Sequence, residues 1–262
     1  MTLADAAGLT PDTAPALPDD GFSIHRPTPE WPGKPVLRLP RTFVVMVGNL
    51  KGGAAKTTSA FFLAAFFYIV YGLRVLLIDG DPLSQSAYSW YRYVWREMRK
   101  EDPDWSWPFD LVSFPSKHID DCIQDNIESG KYDVIVVDTG GESAEIFKAA
   151  VKEAHELVIA CAPTELEMER LEPSFEAAEE AARNLSREID VRVLLTKVPN
   201  SNEGPEARDE IAEMGFGVFT AQASNWKWYR KSGKSTKPLD DLAEYEDIGD
   251  ELLMKYRVEV AA

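Results

Sequence analysis

The chain has 262 residues, with 28 Lys and Arg against 44 Asp and Glu and a net charge of −16. Its length suffices for one large core, and 45% hydrophobic with 27% charged residues is the composition of a globular protein in water. The negative balance excludes general attraction to nucleic acid or anionic membranes, so such contacts would need a local basic patch. Cys122 and Cys161 stand far apart with no C-x-x-C or Cys/His spacing around them. Reduced core thiols are expected, and no metal site of the cysteine type.

In chain order, residues 1–40 carry eight of the 17 prolines and no lasting apolar periodicity. They are expected to form a flexible or extended N-terminal arm, with Trp31 and Leu37 as candidates to dock. The start lacks the basic and apolar runs of a signal peptide. Residues 41–262 read as a single domain. Apolar runs bounded by turn residues fall at 43–47, 74–79, 110–114, 133–138, 156–162, 191–196 and, less regularly, 217–221. Uninterrupted Val/Ile/Leu runs mark strands buried on both faces. Helical stretches lie between them at 57–71, 84–100, 144–154, 167–187 and 205–214. The apolar run at 59–72 is too short to span a membrane and is expected to be a core helix covered on several sides. The alternation predicts an α/β fold, a doubly wound and mostly parallel sheet with helices on both faces.

Ligands of such sheets sit at the carboxyl ends of strands, and three strand ends here carry matching chemistry. After the first comes "KGGAAKTT", where Gly52 and Gly53 let backbone N–H groups converge on phosphate oxygens and the following helix adds its dipole. Lys56 would place a charge on the phosphates, and the Thr57 hydroxyl would coordinate Mg²⁺. After the second comes "LLIDGDP", with Asp79 and Asp81 two apart. The fourth ends in "VIVVDTGGE", where Asp138 is the expected metal-side partner of a phosphate loop. A Gly-Gly pair alone is usually a turn, and a strand-end Asp is often a helix cap. Three such ends in order are much harder to explain that way.

"NLKGGAAKTT", "VLLIDGDP" and "YDVIVVDTGG" resemble the deviant Walker A ATPases of the ParA/MinD family, over roughly residues 42–250 and closest to ParA-like partition proteins. The resemblance implies a P-loop ATPase with ATP and Mg²⁺ as cofactors. Its nucleotide contacts would come from Lys51, Gly52, Gly53, Ala54, Ala55, Lys56, Thr57 and Thr58. Lys51 would be the signature lysine, reaching across an ATP-sandwiched homodimer to the partner's phosphates. Thr57 and Asp138 would hold the metal. Asp81 would position the attacking water, and Asp79 would support the metal from behind or anchor a helix. Three departures stand out: Ala55 replaces the glycine before Lys56, Leu83 stands where Gln is common, and "TGGES" replaces a common Pro-Pro. If position 55 demands a positive φ, alanine there costs about 1 kcal/mol.

Function beyond the nucleotide would sit in "SNWKWYRKSGKSTKP" (224–238), which holds Lys227, Arg230, Lys231, Lys234 and Lys237 without one acidic residue. Such a run is often only a solvated face, yet interleaved with aromatics it is a candidate contact for DNA phosphates. Lys227, Arg230, Lys231 and Lys234 are the residues assigned to that role. A second basic stretch, "SWYRYVWREMRK", offers Arg92, Arg96, Arg99 and Lys100, while its Trp90, Tyr91, Val94, Trp95 and Met98 are expected to pack inward. The C-terminus is not a basic amphipathic membrane anchor. The leading expectation is a cytoplasmic, nucleoid-associated switch for plasmid or chromosome partition: an ATP-bound homodimer on non-specific DNA, released by a ParB-like stimulating partner. The alternative is a related ATPase that positions a protein cargo without binding DNA. A metabolic ligase of the dethiobiotin-synthetase type finds no support in the sequence.

Overall fold

The computed structural model describes residues 21–258, apart from 52, 227, 228 and 230–232. Seven parallel strands form the centre: β3 (Phe43–Gly48), β4 (Val75–Asp79), β5 (Asp110–Ser113), β6 (Val134–Asp138), β7 (Glu156–Cys161), β8 (Asp190–Leu195) and β9 (Gly217–Val218). Their order across the sheet is β5-β4-β6-β3-β7-β8-β9. The strand that precedes the phosphate loop is therefore the middle one, and the order departs from it in both directions. Every residue of β3, β4, β6 and β7 is buried, which is why these segments carry unbroken apolar runs rather than alternation.

One layer over the sheet consists of α1 (Lys56–Tyr71), α2 (Ser86–Met98) and α9 (Tyr245–Leu252); the other holds α3 (Ile119–Glu128), α4 (Ala144–Glu153), α6 (Leu171–Ala182) and α7 (Glu203–Glu213). Helix α1 is buried almost all round, with Phe61, Phe62, Phe66 and Phe67 inaccessible to solvent. It lies between the sheet and α9. At their crossing a Cβ on Gly249 would come within 2.5 Å of the Phe66 ring, so only glycine fits. No helix among the described residues is long and apolar enough to cross a membrane.

Three boundaries differ from the sequence expectation, each for a physical reason. The proline-rich arm was expected to be flexible or extended through residue 40, with Trp31 and Leu37 docking; Trp31 and Leu37 do pack on the core, but residues 22–40 form an antiparallel hairpin, β1 (Phe22–His25) and β2 (Leu37–Pro40). Leu37 and Leu39 are fully buried in the core, and the Thr28 amide and hydroxyl bond the Val70 and Ile69 carbonyls at the end of α1. Residues 1–20 lie outside the described chain. The expected helix over 167–187 is broken into α5 (Glu165–Met168) and α6. Pro173 is tolerated only in the first turn of a helix, and an uninterrupted helix would have driven its ring into the Glu169 carbonyl. The last strand stops at Val218 instead of running to 221, because the Thr220 and Ala221 amides turn to the Glu251 carboxylate, both at 2.8 Å. The stretch 237–240 is a short helix, α8 (Lys237–Asp240).

Candidate nucleotide site

The register of the sheet sets the site. Asp138 is level with Val47 of β3 on one side and with Asp79 of β4 on the other, so all three strands end on one line. Gly48 closes β3 where a Cβ would meet Phe147 at 2.8 Å and Thr139 at 2.9 Å. The loop that follows is pinned at its base. Asn49 donates through Nδ2 to the Ala160 carbonyl (2.7 Å), and the Leu50 amide donates to Ser174 Oγ (3.2 Å). Gly53 has φ 89° and Ala55 φ 58°, so the position before Lys56 does demand the left-handed region. Ala55 holds the conformation the absent glycine would take without strain, and α1 starts directly after it.

Lys56 is buried, and its Nζ donates to the Lys51 carbonyl. Burial pushes its pKa down, opposed by the charges of Asp138, Asp81 and Glu167. Asp138 is only 1% exposed. Burial lifts its pKa to about 8, with Asp79 adding to the rise, while a hydrogen bond with the Thr57 side chain and the Lys56 charge oppose it. Among the described residues its Oδ2 has no hydrogen-bond partner. Asp79, fully buried, accepts from the Asp81 amide (3.0 Å) and the Tyr88 amide (2.8 Å), the latter in the first turn of α2. It is thus the helix-side anchor of the two roles open to it. Burial also presses on Asp81, but hydrogen bonds from the Ser84 hydroxyl and the Leu83 and Ser84 amides, with the Lys56 charge, hold its carboxyl below the usual range.

These groups open onto a cavity of about 910 Å³. It is lined by Gly53, Ala54, Ala55, Lys56, Thr57, Thr58 and Asp81 together with the aromatic residues Trp90, Tyr93, Trp226 and Tyr229. Lys51 is placed otherwise. Its ammonium pairs with Glu167 of α5 at 2.8 Å and does not line the cavity. Gly52 lies outside the described residues, as do Lys227, Arg230 and Lys231. Lys234 is described: it lines the cavity mouth with its ammonium 5.4 Å from the centre of the Tyr93 ring. Trp90, Tyr91, Val94, Trp95 and Met98 of α2 do pack into the core, and Arg92, Arg96, Arg99 and Lys100 stay exposed. Sequence reasoning missed Glu167 and the pair Thr196–Lys197 at the end of β8. The rule that ligands meet strand carboxyl ends applied equally to "VLLTK".

A parallel sheet with a glycine-bearing loop at its central strand, a buried lysine and two aspartates level across neighbouring strand ends, with a third just beyond, defines the class: an α/β nucleotide-binding protein of the P-loop type. Comparison with known proteins narrows the class, because the family model for the CobQ/CobB/MinD/ParA nucleotide binding domain matches residues 45–222. The chain belongs to that family. A relative from Gloeobacter kilaueensis, maintenance of carboxysome distribution protein A, is 31% identical over 229 residues, covering 82% of this chain and 95% of that one. Among solved structures, the MinC:MinD cell division protein complex of Aquifex aeolicus superposes with a TM-score of 0.64 at 16% identity, over 84% of this chain and 98% of that one. An ATP complex of a McdA variant from Cyanothece gives a TM-score of 0.59 at 16% identity, over 84% and 99%. At such identities the two structures speak for the fold.

Proposed function

We propose that this protein is an ATP-hydrolysing switch that dimerises over its nucleotide and uses the cycle to distribute a protein cargo. The observation that carries the nucleotide chemistry is Asp138: a fully buried carboxylate beside Thr57 and Lys56, with one oxygen unpartnered. An orphaned carboxylate oxygen next to a hydroxyl is a donor set of hard oxygens, which fits Mg²⁺. Among the described residues no group of three or more His, Cys, Asp or Glu could hold a metal. This suits an ion that takes few protein ligands and completes its shell with water and phosphate. Bound Mg²⁺ would neutralise charge developing on the phosphate oxygens. Thr57 and Asp138 hold the ion, Lys56 and the N–H groups of the loop bind the phosphates, and the ionised Asp81 orients water. Among the described residues Asp81 Oδ2 accepts only from the Ser84 hydroxyl, which leaves it lone pairs for this role.

The relative at 31% identity, similar over nearly its whole length and named for carboxysome distribution, supports cargo positioning over DNA partition. Lys51 acts across the dimer in this reading and must exchange Glu167 for the partner's phosphates. Light scattering of the full chain with ATP and Mg²⁺ should show a dimer for the wild type and a monomer for Lys51→Ala. An ATP-dependent dimer in that variant would remove the trans role.

One observation favours a second reading in which the dimer also rides on DNA. The two basic stretches, separate in sequence, adjoin in space: Trp90 Nε1 of α2 donates to the Ser235 carbonyl at 2.9 Å, and Lys234 covers Tyr93. Helix α2, which also carries the exposed Arg92 and Arg96, and the 233–235 segment thus meet beside the cavity that Trp90, Tyr93 and Lys234 line. ATP-dependent retardation of DNA of arbitrary sequence, weakening steeply with salt, would establish this second reading; no retardation would leave cargo positioning alone.

A further inference from the structure

The geometry points to Lys197 as a third lysine of the nucleotide site, a cation that holds the phosphate loop open and adds charge for the polyphosphate. The inference rests on the nucleotide reading above and names a residue outside the three motifs. Lys197 is the second residue after β8 and has φ 54°, a left-handed conformation that costs a non-glycine residue about 1 kcal/mol. Strain of this kind persists where the surrounding structure enforces it, and it clusters at functional sites. Here the turn sends the chain back on itself: the Val198 amide rejoins Ala223 (3.1 Å), while the Lys197 side chain runs to the phosphate loop.

Two consecutive residues then hold two consecutive loop carbonyls. Thr196 Oγ1 donates to the Ala54 carbonyl at 3.1 Å, and Lys197 Nζ donates to the Gly53 carbonyl. Peptide groups have opposite ends, so carbonyls fixed toward β8 leave the loop's N–H groups for an anion. Thr196 alone would hold the backbone with a neutral hydroxyl; the ammonium adds a full charge within the wall of the cavity. Its field reaches Lys56, whose pKa it helps to lower. Two ammonium groups this close repel one another, and a polyanion between them relieves that repulsion. Lys51 and Lys56 were marked by their motif. Lys197 lies 141 residues beyond Lys56, and only the sheet order, with β8 two strands from β3, brings it to the loop.

The test is calorimetry on the full chain with ATP and, separately, tripolyphosphate as a probe without a base, for wild type, Lys197→Met, Lys197→Gln and Lys197→Arg. Lys197→Met and Lys197→Gln should bind both probes about tenfold more weakly, roughly what a charge-assisted hydrogen bond contributes. Lys197→Arg should stay within about threefold of wild type, since it keeps the charge. Melting without nucleotide reports any loss of fold separately. Binding by Lys197→Met within about twofold of wild type would overturn the inference. So would full affinity in Lys197→Gln, which can still donate to the Gly53 carbonyl and would show that charge is not needed. Wild type that binds neither probe would instead overturn the nucleotide reading on which the inference stands.

Discussion

Asp138 and Glu156 sit at opposite ends of the two strands that flank β3 and are equally buried, each 1% exposed. Glu156, at the amino end of β7, is fully provided for: Lys255 at 2.6 Å, Arg192 at 3.3 Å and the Tyr256 hydroxyl at 2.9 Å. Asp138, at the carboxyl end of β6, keeps an oxygen without a partner. Burial raises the pKa of both, but only around Glu156 do two cations sit close enough for ion pairs. A buried carboxylate with its partners present closes a structure, and one without them is held ready for something that arrives. The amino pole of this sheet is an anchor and its carboxyl pole a receptor.

The contrast can be broken most severely at the anchor. Glu156→Ala removes one of the two carboxylates that pair with Arg192 and Lys255 and should cost about 3 kcal/mol of stability, the low end for a broken buried pair because Asp190 remains and Lys255 can return to water. Urea unfolding measures it, and ATP affinity of the folded fraction should stay unchanged. A matching loss of nucleotide affinity would mean that the two poles are coupled.

At the receptor the sign reverses. Asp138→Asn should abolish the gain in ATP affinity produced by Mg²⁺, yet leave the nucleotide-free protein as stable as wild type or more so. The folded carboxyl keeps its proton up to about pH 8, whereas an unfolded one releases it near pH 4. Between those values the folded state binds more protons, so stability falls as pH rises and the ionised form bears the penalty. Thermal melts from pH 5 to 8 should therefore decline less in Asp138→Asn than in wild type. In wild type the Mg²⁺ effect should grow as pH rises toward 8. Identical pH slopes in the two proteins would show that Asp138 is already ionised and satisfied.

The smallest effect belongs to the loop itself. Ala55→Gly removes the left-handed strain and should stabilise the folded chain by up to about 1 kcal/mol, less the backbone entropy glycine loses on folding. For a protein of this size that is a rise in melting temperature of about 2–4 °C. An unchanged or lower melting temperature would mean that the entropy term cancels the strain.

The receptor was largely legible in the sequence and the anchor was not. Runs of Val, Ile and Leu announced six strands of the sheet, the edge strand at 217–218 showed less regularly, and Lys56, Thr57, Asp81 and Asp138 stood at the ends of three of them. Those signals are local, because a strand buried on both faces and a loop that binds phosphate each need particular residues within a few positions. Glu156 with Lys255, Lys51 with Glu167, and Lys197 with Gly53 each join residues about 100 or more apart, and nothing in a local pattern pairs them. The hairpin at 22–40 was hidden differently. Proline suggested an open arm, while the alternation of Leu37 and Leu39 is too short to show as a strand until α1 and the C-terminal segment are there to cover it.

That hairpin has a practical consequence for anyone attaching a label. The Gly21 carbonyl accepts from the Arg41 amide at 2.8 Å, and the Val258 amide donates to the Val36 carbonyl at 2.9 Å. Residues 21 and 258 are therefore both held at the pole where Phe43 and Glu156 begin their strands. A fluorescent protein attached at either residue starts at the pole opposite the phosphate loop. Imaging and surface immobilisation can use attachment at residues 21 and 258 while the face proposed to meet a second copy stays clear.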